Sequence, residues 1–253
     1  MIKVFVCLIA VSSAQRILDS GPDEEFEYHQ GGDDWIHFYK CKRGRQQSPI
    51  DLPFFEEDIM SPIPRDFAAR RFLSPDDPPV LEHHIFEPVP DLTFEARYGE
   101  IADVEVQNLT DTVWIDVRHL DGSLLVREGN HQKKEFRPVQ FHFHAPSEHT
   151  IDGRHYDLEM HFYHVTSDGL HKSVVVVFFD SKMGGDEDSP FIESLFTTPN
   201  HEDLQDAEHW VPVGVHLEAL LLGLDRTKLF HYEGSLTVPP CTENVEWNII
   251  DDP

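Results

Sequence analysis

A mainly β fold (α+β in class), built as a single domain with short surface helices, is what this sequence predicts. Three observations carry that expectation. Apolar and polar residues alternate over several short runs between residues 101 and 180, the period-two pattern of half-buried strands. Helical periodicity is confined to two short stretches. The 253 residues can bury one large core, and no repeat or low-complexity tract divides them.

The chain opens with Lys3, an apolar run from Val4 to Val11, and small residues from Ser12 to Ala14, the layout of a secretory signal cleaved after Ala14. That run is too short to span a bilayer, which takes about 20 apolar residues. The expected division is a signal peptide at 1–14 and a secreted folded domain at 15–253, with no transmembrane segment. Loss of the signal removes Cys7 and leaves Cys41 and Cys241. In an oxidising compartment an even pair favours one disulfide closing a long loop, two buried thiols being the alternative.

Proline-rich stretches at 61–64 and 74–79 read as surface connections. Val104 and Val106, then Val113, Ile115 and Val117, alternate with polar neighbours as strands do. Segments 135–144 and 157–165 form a second pair of strand candidates, separated by a connection containing Asp152 and Gly153. Residues 174–179 are continuously apolar, as a central strand buried on both faces would be. The helical stretches are 189–196, with Ser189 as N-cap and Pro190 in the first turn, and 216–222.

Acidic residues outnumber basic ones 47 to 20, for a formal net charge of -27. Such a surface repels nucleic-acid phosphates and anionic lipid, so neither is an expected partner. The acids fall in short runs at 23–25, 56–58 and 186–188, which suits a solvated surface.

The chemistry concentrates in the paired strands. Alternation puts Gln140, His142 and His144 on one face of the first, with Phe141 and Phe143 on the other. In the second, Glu159, His161 and Tyr163 share a face. If the two strands are neighbours, His161 completes a set of three imidazoles, the donor set that binds zinc and leaves a fourth position open. Gln140 and Glu159 are placed to accept the remaining imidazole N–H groups. Spacing alone is a weak signal in a chain with 17 histidines.

The flanking residues decide the matter. The stretch QFHFHAPSEHTIDGRHYDLEMHFYH at 140–164 resembles the signature of alpha-class carbonic anhydrases, as do GRQQSPIDL at 44–52 and YEGSLTVPPCTENVEW at 232–247. The resemblance implies a large twisted, mostly antiparallel central sheet and a zinc ion held by His142, His144 and His161, with Gln140 and Glu159 behind them. It implies that Thr237 accepts a hydrogen bond from zinc-bound hydroxide and passes one to Glu148, orienting the nucleophile. The apolar carbon dioxide wall would be Val174, Leu236, Val245 and Trp247, and Cys41 and Cys241 match the half-cystines of secreted members. The implied reaction is reversible hydration of carbon dioxide to bicarbonate and a proton, by a monomer. A catalytically silent, carbonic-anhydrase-related binding or matrix protein is the alternative.

Several positions depart from the family pattern. Asp111 stands at the proton-shuttle position, and a carboxylate with a reference pKa near 3.9 is a poor relay at neutral pH. Slower, more buffer-dependent turnover is expected. Tyr28 resembles a rim tyrosine that orders cavity water. Tyr163 occupies a wall position that is usually small and aliphatic, so the pocket is expected to be partly filled. Asn108 begins a glycosylation sequon near the cavity rim. Only six residues follow Trp247, so the family's C-terminal strands, including the carbonyl that would hold His144, are expected to be missing from this sequence.

Overall fold

The computed structural model describes residues 41, 43–53, 93–99, 104–108, 112–127, 133–183, 188–196, 209–211 and 217–253. Residues 1–14, Tyr28, Asp111, His216 and the proline-rich connections lie outside the described residues, as does the side chain of Asn108. In chain order the strands are β1 (Asp51–Leu52), β2 (Thr93–Tyr98), β3 (Val104–Asn108), β4 (Val113–Asp116), β5 (Gly122–Arg127), β6 (Lys134–His144), β7 (Thr150–Ile151), β8 (Leu158–Thr166) and β9 (Lys172–Phe179). Helix α1 (Pro190–Phe196), β10 (His209–Val211), α2 (Leu217–Gly223), β11 (Leu229–Ser235) and β12 (Glu243–Ile250) follow.

Strands β10, β3, β4, β6, β8, β9, β12 and β11 lie side by side in that order, and β5 joins β2 to the same ten-stranded sheet through β6. Every pairing within it is antiparallel except β9 with β12, so the mostly antiparallel sheet expected from the sequence is the one found. β1 and β7 form a separate parallel pair. Among the described residues, no helix is long and apolar enough to cross a membrane.

Strand β9 is central, as its unbroken apolar run predicts. Val175 and Val177 pack on one side with Phe141, Phe143, Met160 and Phe162, beneath Phe191 and Leu195 of α1 and Leu217 and Leu221 of α2. Val174, Val176 and Phe178 pack on the other side with Tyr163, Leu236, Val245 and Trp247. Each such side chain, removed from water, contributes about 1.5–3 kcal/mol. One face of the sheet therefore carries the helices, and the other is left for the histidines.

One local feature differs from a plain alternating reading. The register of β6 against β8 shifts between Pro138 and Gln140. Pro138 has no N–H to give the ladder, and the bulge absorbs the extra residue. Phe136 and Phe141, five residues apart, consequently face the same core. Helix α1 has the cap that its sequence predicts, Ser189, whose carbonyl accepts from Glu193 N at 2.8 Å and whose hydroxyl accepts from Ile192 N at 3.5 Å.

Candidate metal centre

Pairing of β6 with β8 sets His142 directly opposite His161. His144 follows on the same face of β6, and the three rings converge, with centroids 4.9 Å apart for His142 and His144, 5.2 Å for His142 and His161, and 4.5 Å for His144 and His161. One nitrogen of each lies within 4.8 Å of the others. All three side chains are buried.

The outer nitrogens are occupied in a way that selects the inner ones. His142 Nδ1 lies 2.9 Å from Gln140 Oε1, and His161 Nε2 lies 2.5 Å from Glu159 Oε1. That leaves His142 Nε2 and His161 Nδ1 facing the centre. His144 Nε2 is buried with no hydrogen-bond partner. An orphaned polar atom of this kind costs about 1–3 kcal/mol, which a metal ion bound there would offset. Three neutral imidazoles suit zinc, so the residues present fit that ion.

A second group, His149, Glu159 and His161, is also close enough to hold a metal. Its spacing argues otherwise. Glu159 Oε1 is 2.6 Å from His149 Nδ1 and 2.5 Å from His161 Nε2, whereas two ligands on one tetrahedral zinc sit about 3.3 Å apart. These contacts are hydrogen bonds.

Electrostatics separates the members of the site. Burial, with the neighbouring imidazoles, pushes His142 well below the ordinary histidine range. Burial likewise lowers His144, against the partial opposition of Glu148. For His161 burial also disfavours the charge, but the adjoining Glu159 carboxylate outweighs it and raises the ring. Glu159 itself, despite burial that favours its neutral form, is held well below the usual carboxylate range by His149 and His161. It stays ionised and acts as an acceptor.

The remaining expected residues are placed as follows. Val174, Leu236, Val245, Trp247 and Tyr163 are all buried in one cluster on the histidine face. Trp247 sets its ring edge-on to His161, with centroids 4.9 Å apart. Thr237 is half-buried in the loop between β11 and β12. Glu148 Oε1 is 3.5 Å from His144 Nδ1, so this carboxylate stands beside the second ligand as well as being the expected partner of Thr237. Cys41 and Cys241 are joined in a disulfide, 200 residues apart in sequence.

Sequence reasoning missed His149, Tyr232 and Ser48. His149 is completely buried and donates its backbone N–H to Glu159 Oε2 at 2.8 Å. It lies in the connection between β6 and β7, where alternation says nothing about side-chain direction. Its neighbour Glu148 was found only through the resemblance.

A cluster of three buried histidines that could hold a metal ion, on the face of a large, mostly antiparallel sheet away from its helices, is the class of site these features define. Residues 80–253 match the family model for eukaryotic-type carbonic anhydrase. The chain is 39% identical over 118 residues to alpha carbonic anhydrase 3 of Arabidopsis thaliana, an alignment spanning 46% of this chain and 40% of that protein. It is 30% identical to a carbonic anhydrase of Klebsiella pneumoniae over 213 residues, which is 84% of this chain and 68% of that one. The fold superposes on the fungal alpha carbonic anhydrase of Aspergillus oryzae with a TM-score of 0.60 at 25% identity, covering 85% of this chain and 75% of the other. The chain belongs to the alpha carbonic anhydrase family.

Proposed function

We propose that this protein is a secreted zinc enzyme that hydrates carbon dioxide reversibly to bicarbonate and a proton. The observation that carries the reading is the convergence of His142, His144 and His161 with one buried, unpartnered ring nitrogen between them. Zinc held there supplies a Lewis-acidic centre that brings the pKa of a coordinated water to about 7.

The chain's own residues do the rest. Gln140 and Glu159 fix the orientation of His142 and His161. With zinc bound, Thr237 Oγ1 would accept a hydrogen bond from the nucleophile and pass one to Glu148, orienting attack toward the wall of Val174, Leu236, Val245 and Trp247. Carbon dioxide is small and apolar, and that wall holds it by contact and exclusion of water. Asp111 at the shuttle position leaves proton export to buffer, which makes turnover buffer-dependent. Residues 1–14 serve as the export signal, and the Cys41–Cys241 disulfide supports an oxidising destination.

One observation favours a second reading, a metal-holding relative without turnover. Tyr163 is only 2% exposed and packs with the wall residues, where its ring takes up space a substrate needs. Stopped-flow carbon dioxide hydration with metal analysis on the same sample separates the two. The enzyme reading expects one zinc per chain and activity lost on chelation and restored by zinc. Stoichiometric zinc with no hydration would overturn it in favour of the binding protein.

A further inference from the structure

A continuous line of hydrogen bonds leads away from His161. Glu159 Oε1 accepts from His161 Nε2 at 2.5 Å and from His149 Nδ1 at 2.6 Å. The other nitrogen of His149, Nε2, lies 2.8 Å from the Tyr232 hydroxyl, which lies 2.7 Å from Ser48 Oγ. Ser48 and Ser235 then bond reciprocally, Ser48 N to Ser235 Oγ at 2.9 Å and Ser235 N to Ser48 Oγ at 3.1 Å.

Donor counting gives this line one direction. A carboxylate only accepts, so His149 Nδ1 carries the proton and, in the neutral ring, Nε2 is an acceptor. Tyr232 must therefore donate to His149, and its oxygen accepts from the Ser48 hydroxyl. The Ser235 hydroxyl proton is given to Leu236 O at 2.8 Å, and Ser48 Oγ accepts from the Ser235 backbone N–H at 3.1 Å, which is compatible with Ser48 giving its own hydroxyl proton to Tyr232.

Packing holds the line in place. Trp247 covers both imidazoles, with ring centroids 4.8 Å from His149 and 4.9 Å from His161, and stacks on Tyr232. A Cβ on Gly234 would fall 2.2 Å from Ser48 Oγ, so glycine there is what lets Ser48 lie against β11. The segment 44–48 is anchored at its other end: Glu243 Oε1 accepts from Arg45 N at 2.6 Å and Gln46 N at 2.8 Å, and the disulfide joins Cys41 to the loop after β11.

We propose that His149, Tyr232 and Ser48 are positioning residues for the metal: this one-way chain fixes the Glu159 carboxylate, so that His161 keeps its proton on Nε2 and presents Nδ1 to zinc. The proposal rests on the zinc reading of the site. It makes the anchored segment 44–48, remote in sequence, a determinant of metal retention.

Tyr232→Phe removes the hydroxyl that joins the two halves of the chain. In the full-length zinc protein, competition with a chelator should show zinc leaving about 10-fold faster, the lower range for loss of a group behind a ligand, and the cobalt-substituted form should show a shifted visible spectrum. Tyr156→Phe is the control, because it deletes another tyrosine hydroxyl, donated to Asp251 at 2.7 Å, away from the chain. It should change neither. Equal acceleration in both variants would mean general loosening and would overturn the proposal, as would wild-type behaviour of Tyr232→Phe. Should that variant fail to fold, Ser48→Ala carries the same expectation at smaller size, and a wild-type rate there overturns it. Nitrogen-15 NMR of the metal-free wild type should find His149 as the Nδ1–H tautomer; an Nε2–H or doubly protonated ring would refute the direction of the chain. A wild type that binds no zinc would defeat the zinc reading instead, and the NMR result would still decide the chain.

Discussion

His161 and His164 stand three residues apart on β8, both essentially removed from solvent at 2% and 0% exposure, and face opposite sides of the sheet. Their environments drive them in opposite directions. Burial pushes His164 down to about 3, against the partial opposition of the Phe162 and Ser173 backbone, and its Nε2 lies 2.7 Å from the Tyr98 hydroxyl. Burial acts on His161 too, but Glu159 reverses the result. Depth alone therefore does not make a buried histidine a ligand. A carboxylate behind the ring fixes which nitrogen keeps its proton, whereas a phenol beside it makes the ring a neutral packing element. Tyr98 is itself raised by burial and so remains a donor.

The largest test of that contrast removes a ligand. His144→Ala takes away the buried nitrogen that has no protein partner, and zinc affinity should fall by well over the ~100-fold upper range for loss of an outer partner. Chelator competition reads the constant. A variant that kept wild-type affinity would mean that the three rings do not share an ion.

Next in size is the acid response of the other face. The folded-state value of His164, about 3, lies below its unfolded value of about 6.5. Its contribution to stability is thus complete above about pH 6.5 and declines by about 1.4 kcal/mol per unit as pH falls toward 3. His142 and His144 are lowered as well and act in the same sense, so the comparison is between metal-free wild type and metal-free His164→Phe. Urea unfolding from pH 7 to 4 should show curves that converge with acidification; parallel curves would mean that His164 is not held neutral.

How much of this was legible in the sequence depended on local periodicity. Alternation placed His142, His144, Gln140, His161 and Glu159 on the right faces because β6 beyond Pro138 and β8 are regular. The same reading could not see the bulge at Pro138, and it passed over β2, β5, β11 and β12, although Phe94, Ala96 and Tyr98 in β2 and Val245, Trp247 and Ile249 in β12 alternate with polar residues. Val174 to Phe179 announced a central strand by being apolar on both faces. Thr237 and Glu148 sit in connections, so only the family resemblance singled them out. His149, Tyr232 and Ser48 stayed hidden for a further reason: the contacts that define them span 83 and 184 residues of sequence, a separation no local pattern encodes.

The smallest effect tests whether the two faces are independent. Tyr98→Phe keeps the ring, which packs tilted against Phe162 with centroids 4.9 Å apart, and deletes only the hydroxyl that satisfies His164 Nε2. The loss of one buried hydrogen bond, with a buried ring nitrogen left behind, should cost about 1–2 kcal/mol of folding stability. Zinc affinity should remain within about twofold, since additivity holds for sites that share no partner, and Tyr98 and the ligand rings are separated by the sheet itself. Thermal unfolding and chelator competition on the same preparation give both quantities. Weakened zinc binding in this variant would show that β8 transmits strain from its helix-covered side to His161, and the division of labour between the faces would have to be abandoned.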